Sequence, residues 1–278
     1  MNDKNDIYIP SLGGKDFLSV LTLSCLGLFV LMIFFLLYSN VSYIISKGFT
    51  FADFMRIMSS PDTVSGMKLS AITSFCTLVL VVLTSVPVGY ALSRFRFKGY
   101  AFFNMIIDVP LVLPPVVVGL SLLAFFGSNT LGEFIREILR RFDISLSSVL
   151  GIIMCQYLLS VSYCIRASKT AFDSVDRNLE FVAMTLGCSR WQVFRKVTMP
   201  LSLNGVISGS VMAWARAVGV FGPVMVFVGT SSRVQIMPTQ IWVELSIGNI
   251  EKAFAISFVM VLMAGIALTI VHYLAPRK

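Results

Sequence analysis

A single histidine in 278 residues leaves almost nothing for imidazole acid–base chemistry or a histidine-rich metal site. The five cysteines, Cys25, Cys76, Cys155, Cys164 and Cys188, are odd in number and lack metal-ligand spacing. Four of them lie inside apolar runs, so they read as small packing residues rather than a disulfide frame, and no metal site is expected. No Gly-x-x-x-x-Gly-Lys-Ser/Thr stretch occurs, which excludes holding nucleotide phosphates by that device. Charge is the scarcest resource: 13% of residues are charged against 56% hydrophobic. That is about half the usual charged share of a soluble domain and too little to cover a surface facing water. The chain reads as an integral membrane protein. Its net charge of +8 then does not call for nucleic acid, because basic residues gather beside spans on the cytoplasmic side.

Six apolar runs are long enough to cross a bilayer. The spacing predicts spans over 17–38, 69–93, 100–127, 149–166, 203–229 and 253–274, preceded by a polar, mobile tail over 1–16. The first run is followed by Leu37-Tyr38-Ser39, which is no signal-peptide cleavage site, and it reads as a retained anchor. Short interfacial or outer helices are expected over 49–58 and 131–142. The third run carries Pro110, Pro114 and Pro115 and the fifth carries Gly219, Gly222 and Pro223. Breaks of this kind are tolerated at membrane depth only where protein or a water-lined cavity satisfies the freed backbone.

Six spans put both termini on one side of a plasma or inner membrane. Assigning the termini, the second-to-third connection and the loop after the fourth span to the cytoplasm gives that side thirteen basic residues and the other eight. The excess orients the chain with both termini inside.

The longest charged interruption is Asp173–Pro200. Asp176 can cap a short helix with Glu180 in its first turn, the sign a helix N-terminus favours. Leu179, Val182, Ala183 and Leu186 fall on one apolar face. Gly187 can supply a left-handed stop, Ser189 with Gln192 reads as a capping box, and Pro200 marks where the second helix stops or turns into the membrane. From pattern alone, an amphipathic helix resting on headgroups with Arg190, Arg195 and Lys196 toward phosphates is the simpler reading.

This stretch resembles the EAA loop of permease subunits of ATP-binding-cassette importers. Gly187 to Pro200 has the family's interval of thirteen residues, Ala183 stands at the third triplet position, and Met199 replaces the usual Leu. Phe181 and Val182 depart from the usual Glu and Ala, with Glu180 just before them. Pro87–Leu92 leading into Arg94–Gly99, Pro110–Leu120, and Trp214–Gly219 with Phe221-Gly222 look like the second, third and fifth helices of the molybdate, tungstate and sulfate members. The pieces come in the family's order over about 65–275. Val220 stands where those members usually carry Glu.

The resemblance implies an all-α polytopic membrane protein of six transmembrane helices, similar to type I importer permeases, with a permease domain over 17–278. It implies a transport subunit, not an enzyme. The loop 173–200, with Leu179, Glu180, Ala183, Leu186, Gly187 and Pro200, would dock on a cytoplasmic ABC ATPase that holds ATP and Mg, while this chain binds no cofactor. A homodimer in the lipid bilayer and an extracytoplasmic substrate-binding protein are implied as partners. The cargo would be molybdate, tungstate or sulfate, passing a path with Pro114, Pro115, Arg216, Gly219, Gly222 and Pro223 at its gate. The rival class is an ion-coupled transporter or channel working without an ATPase, and a third is a non-transport scaffold.

Arg216 lies deep in the fifth span, where an unpartnered charge costs at least about 2.5 kcal/mol. Asp108 in the third span lies only about 7 Å lower on helical rise. An Arg216–Asp108 contact, within or between subunits, is expected; snorkelling of Arg216 and its contact with an anionic substrate are the alternatives. Arg136, Glu137, Arg140, Arg141 and Asp143 form a charged outer group that either receives the binding protein or is a solvated face.

Overall fold

The computed structural model describes residues 17–46, 48, 50–141, 149–229 and 234–274; the expected tail over 1–16 and Asp143 lie outside them. By contacts the chain divides after Phe54. The N-terminal unit is dominated by α1 (Phe17–Ser46), whose Val20–Ser39 stretch is exposed throughout and apolar enough to cross a membrane. The expected short helix follows as α2 (Phe51–Met58), between exposed Phe51 and Met55 on one side and Asp53 and Arg56 on the other.

The main body contains α3 (Pro61–Arg94), α4 (Tyr100–Val112), α5 (Pro115–Ser128), α6 (Thr130–Arg141) and α7 (Val149–Asp173). Then come α8 (Arg177–Thr185), α9 (Arg190–Val193), a π-helical turn over Phe194–Thr198, α10 (Met199–Val218) and α11 (Gly222–Phe227). α12 (Met237–Ser246) and α13 (Ile250–Leu274) complete it. No strand occurs among the described residues. Helices stand at all six expected places. Three of them, in α1, α3 and α7, meet the length and apolarity of a crossing, and α4 with α5 makes a fourth if the bent pair is one pass. α10 and α13, of 20 and 25 residues, occupy the fifth and sixth places.

Several boundaries differ from the spacing. α3 begins at Pro61, which lacks only an N–H that a first turn leaves unpaired anyway. α7 runs to Asp173, two turns past the expected end at Arg166. The third pass is two helices bent by 111° at Leu113-Pro114, because Pro114 and Pro115 bring no amide hydrogens to the junction. The fifth ends at Val218 and restarts at Gly222. Pro200 does not stop its helix. The chain enters α10 through the π turn, where the Met199 amide reaches back to the Phe194 carbonyl and the wider register absorbs the proline in the first turn of α10. α12 has no counterpart among the expected elements.

Hydroxyl and amide side chains are buried between the long helices while many large apolar side chains face outward. α7 packs between α3 and α10, and Thr73, Thr77, Gln156, Ser160, Ser168, Ser202 and Ser210 are buried. Gln156 accepts from Thr77 at 3.0 Å and donates to Thr73 at 3.3 Å. Phe75, Leu83, Phe102, Met105, Leu120 and Met212 are exposed instead. Such a distribution suits lipid, where burying aliphatic side chains brings no hydrophobic gain and helices associate through close contact and internal hydrogen bonds. Gly205 and Gly209, one turn apart on α10, supply that contact. A Cβ there would meet the Cβ atoms of Ala171 and Ala167 on α7 at 2.5 and 2.3 Å.

A Gly209→Leu variant should therefore lose about 1–3 kcal/mol of stability through overpacking, read as a lower thermal unfolding midpoint in detergent. Gly127→Ala, whose added Cβ meets nothing within 4 Å, should leave that midpoint unchanged.

Candidate functional site

Two places gather the residues singled out by the sequence. The first is the segment after α7. Asp176 caps α8, its carboxylate accepting from the Asn178 amide at 2.9 Å. At the other end Gly187 takes φ of +89°, and the amides of Gly187 and Cys188 donate to the carbonyls of Met184 and Ala183 at 3.0 and 3.1 Å. This is a paired carbonyl-satisfying stop that a left-handed residue makes possible. The capping box then starts α9: the Gln192 amide donates to Ser189 Oγ at 3.3 Å, and Ser189 donates its own amide to Gln192 Oε1 at 2.8 Å. Helix, turn and second helix form as the residue pattern predicts.

The orientation of α8 is the finding. Its buried residue is Glu180, while Leu179, Phe181, Val182 and Leu186 are 48%, 59%, 58% and 80% exposed. The expected apolar face thus points away from the body, with Ala183 half-buried at its edge. Glu180 is held by three donors from two residues, all on its Oε1. Arg94, at the end of α3, donates through Nε at 2.9 Å and Nη2 at 2.8 Å. Thr198, in the π turn, donates its hydroxyl at 2.7 Å. Arg94 also donates to the Val175 carbonyl and to Ser93 Oγ, each at 3.1 Å. Ser93 Oγ donates in turn to Asp173, which Lys169 pairs, and Arg177 donates to the Ser93 carbonyl at 2.9 Å. The ends of α3, α7 and α10 are thereby tied to one short helix. Sequence reading missed Arg94, Ser93, Asp173 and Thr198 as its partners, since none of them lies within a helical turn of Glu180 in the chain.

Below α8, Tyr90, Phe172 and Phe194 pack edge to face, with Tyr90–Phe194 centroids 4.8 Å apart. Pro200 faces outward at the start of α10 and contributes a rigid first turn rather than an end.

The second place is where the two broken helices meet. A Cβ on Gly119 would lie 2.7 Å from Pro223 Cα, and one on Gly222 would lie 3.1 Å from Val116 Cγ2. Pro115 and Pro223 therefore open α5 and α11 against each other, with Pro114 and Gly219 at the preceding breaks. Val220, 2% exposed, belongs to the apolar core with Val118, Leu122, Ile152 and Val224. Arg216, in the last turn of α10, is exposed and makes no contact with Asp108 within the chain. Asp108 is instead taken by Arg166, which donates to its two oxygens at 2.6 and 2.5 Å and to Asn104 Oδ1 at 2.6 Å. Arg166 lies inside α7, which packs against α4 and so brings the guanidinium to Asn104 and Asp108.

On α6, Arg140 pairs Glu137, and Leu131, Phe134, Ile135 and Ile138 are exposed. These groups contribute to neither place.

Residues 85–278 match the family described as "Binding-protein-dependent transport system inner membrane component". The chain is 34% identical over 208 residues to a probable molybdenum ABC transporter permease of Haloferax volcanii, covering 75% of this chain and 74% of that protein. It is 36% identical over 204 residues to the molybdenum transport system permease of Escherichia coli, covering 70% and 88%. A molybdate/tungstate transport system permease of Thermococcus kodakarensis is 27% identical, covering 81% and 83%. Among solved structures, a bacterial alginate ABC transporter bound to its periplasmic protein superposes with a TM-score of 0.71 at 15% identity, over 93% of this chain and 92% of that one. A methionine ABC transporter in an inward-facing form superposes with 0.58 at 16% identity, over 77% and 96%. These likenesses fix the fold.

Truncation of Glu180 to Ala should leave the Arg94 guanidinium buried without its carboxylate, a loss of about 3–5 kcal/mol when one partner of a buried pair is removed. The expected readout is selective proteolysis within 173–200 in inside-out vesicles while the spanning helices stay protected.

Proposed function

Since the chain belongs to the family of binding-protein-dependent transport system inner membrane components, we propose that it forms the membrane path of an ATP-driven molybdate or tungstate importer and that α8 is its ATPase-docking element. It is a multi-pass inner-membrane transport subunit rather than an enzyme. The proposed cargo rests on relatives named for molybdenum, molybdate and tungstate at 27% to 36% identity. None of these relatives is named for sulfate, so the broader oxyanion expectation narrows to these two.

The observation that carries the coupling role is the inverted burial of α8. A helix that merely floated on headgroups would gain nothing by burying its acid and holding that acid with three donors. This one spends its only carboxylate on being anchored and leaves Leu179, Phe181, Val182 and Leu186 projecting from the end of the molecule. A rigid apolar knob fits a groove on a soluble partner. Closure of two ATPase subunits would then move two such knobs as rigid bodies and, through Arg94, Asp173 and Thr198, the ends of three membrane helices with them. ATP and Mg belong to those partner subunits in this reading. A homodimer supplies the second knob, an extracytoplasmic binding protein delivers the cargo, and both termini face the cytoplasm. The packed breaks of α4/α5 and α10/α11 are where the path narrows, as irregular backbone at membrane depth lines a cavity or lies against protein.

Uptake of labelled molybdate into proteoliposomes holding this chain, its ATPase and its binding protein tests the proposal. Uptake should require ATP and be competed by tungstate. Phe181→Asp with Leu186→Asp should lower it about tenfold or more, as charges at the centre of a docking patch do, while the chain remains folded. ATP-independent, gradient-driven uptake would contradict the reading in favour of a secondary transporter.

A further inference from the structure

Arg216 stands among the middles of the membrane helices. Its neighbour Ala213 packs with Val81 of α3 and Cys164 of α7, and Trp214 donates to Ser74 of α3 at 3.2 Å. At that height the side chain is exposed and has no hydrogen bond or ion pair among the described residues. A guanidinium so placed must face water or a counter-charge, because facing lipid is the costly alternative.

Among the described residues, the acids buried in or between the long helices are already engaged. Asp108, the acid lying inside an apolar helix, gives both oxygens to Arg166. Glu244 gives one oxygen to Lys252 at 2.6 Å and the other to Asn249 at 3.0 Å. Glu180 belongs to Arg94 and Asp173 to Lys169. Asp62 and Glu251 sit in the first turns of α3 and α13, and Glu133 and Glu137 on α6. A second copy brings the same described acids, either engaged or at helix starts away from Ser74 and Val81, so dimerisation adds no spare described carboxylate at this depth. A mobile anion remains.

We propose that Arg216 is the fixed cation that the oxyanion meets as it passes the break between α10 and α11. The position suits the task electrostatically. The C-terminal carbonyls of α10 end at Val218 and would repel an anion at the break. Arg216, in that same last turn, reverses the sign of the local field. Its five donors match a tetrahedral oxyanion in the same way that they match a phosphate. The contact is made in transit, so the binding protein still sets the affinity for cargo and Arg216 acts on the rate of passage.

This inference rests on the oxyanion import proposed above, and the experiment separates the two. Labelled molybdate uptake is measured in proteoliposomes of the complete complex, together with binding-protein-stimulated ATP hydrolysis. In Arg216→Gln, maximal uptake should fall about tenfold or more, the scale of one hydrogen bond to a charged group, with KM and stimulated hydrolysis near the unsubstituted values. Arg216→Lys should retain most of the uptake. Met212→Glu, one turn earlier on the exposed face, keeps the arginine but supplies an i,i+4 carboxylate; it should lower uptake as Arg216→Gln does, while Met212→Gln should not.

Unchanged uptake in both Arg216→Gln and Met212→Glu would overturn the inference. Failure of Arg216→Gln to assemble, with normal uptake in Met212→Glu, would overturn it too and make Arg216 a subunit contact. Absence of molybdate and tungstate uptake by the unsubstituted complex would instead sink the oxyanion reading itself.

Discussion

A carboxylate and a guanidinium that are both nearly out of water, as Glu180 and Arg94 are, hold each other more firmly than any exposed pair could. Separating them leaves two buried charges uncompensated. The α8 end of the protein depends on that constraint. Because Glu180 must stay under α8, the helix cannot roll, and its apolar residues cannot turn inward to find a core. Because Arg94 also holds the Val175 carbonyl and Ser93, a displacement of α8 is felt at the ends of α3 and α7 together. Thr198 extends the same connection to α10 through the π turn. A short helix that would be marginal alone thus becomes a stiff projection.

The membrane part follows a different constraint. Lipid neither hydrates a free carbonyl nor rewards burying an aliphatic side chain. The helices therefore turn their Leu and Phe outward and meet through Gly, Ala, Ser and Thr, as at Gly205 and Gly209 against Ala171 and Ala167. The two broken passes are placed against each other, with Gly119 of α5 close against Pro223 of α11, while Pro114 and Gly219 at the breaks themselves stay exposed on the chain. Stiff end, packed middle and broken passes together are what the proposed passage of a rigid movement through the molecule would require.

Local signals were legible in the residues because they need only a few neighbours. Asp176, Gly187, Ser189 and Gln192 each act within one turn, and each does in the structure what its chemistry predicts. The positions of the breaks were legible for the same reason. Partners across the chain were not. Arg94 and Glu180 are far apart in sequence, and nothing in the spacing says that an amphipathic helix will bury its acid. Asp108 was expected to meet Arg216 because the two lie within about 7 Å in height on helical rise. Height along a helix does not say which helix lies alongside, and α4 packs against α7, where Arg166 takes the carboxylate. At Pro200 only one of the two expectations, a stop, fails: a π turn before the proline lets the chain continue into α10.

The orientation of α8 is the central claim, and cysteine cross-linking to the co-expressed ATPase tests it most directly. Single cysteines placed in turn from Asn178 to Leu186, in a chain whose native cysteines are replaced by serine, would be oxidised in membranes against a cysteine in the ATPase groove. The account predicts cross-links from positions 179, 182 and 186 and none from 180. Strong cross-linking at 180, with silence at 182 and 186, would mean that the helix presents its acid to the partner, and the account would be wrong.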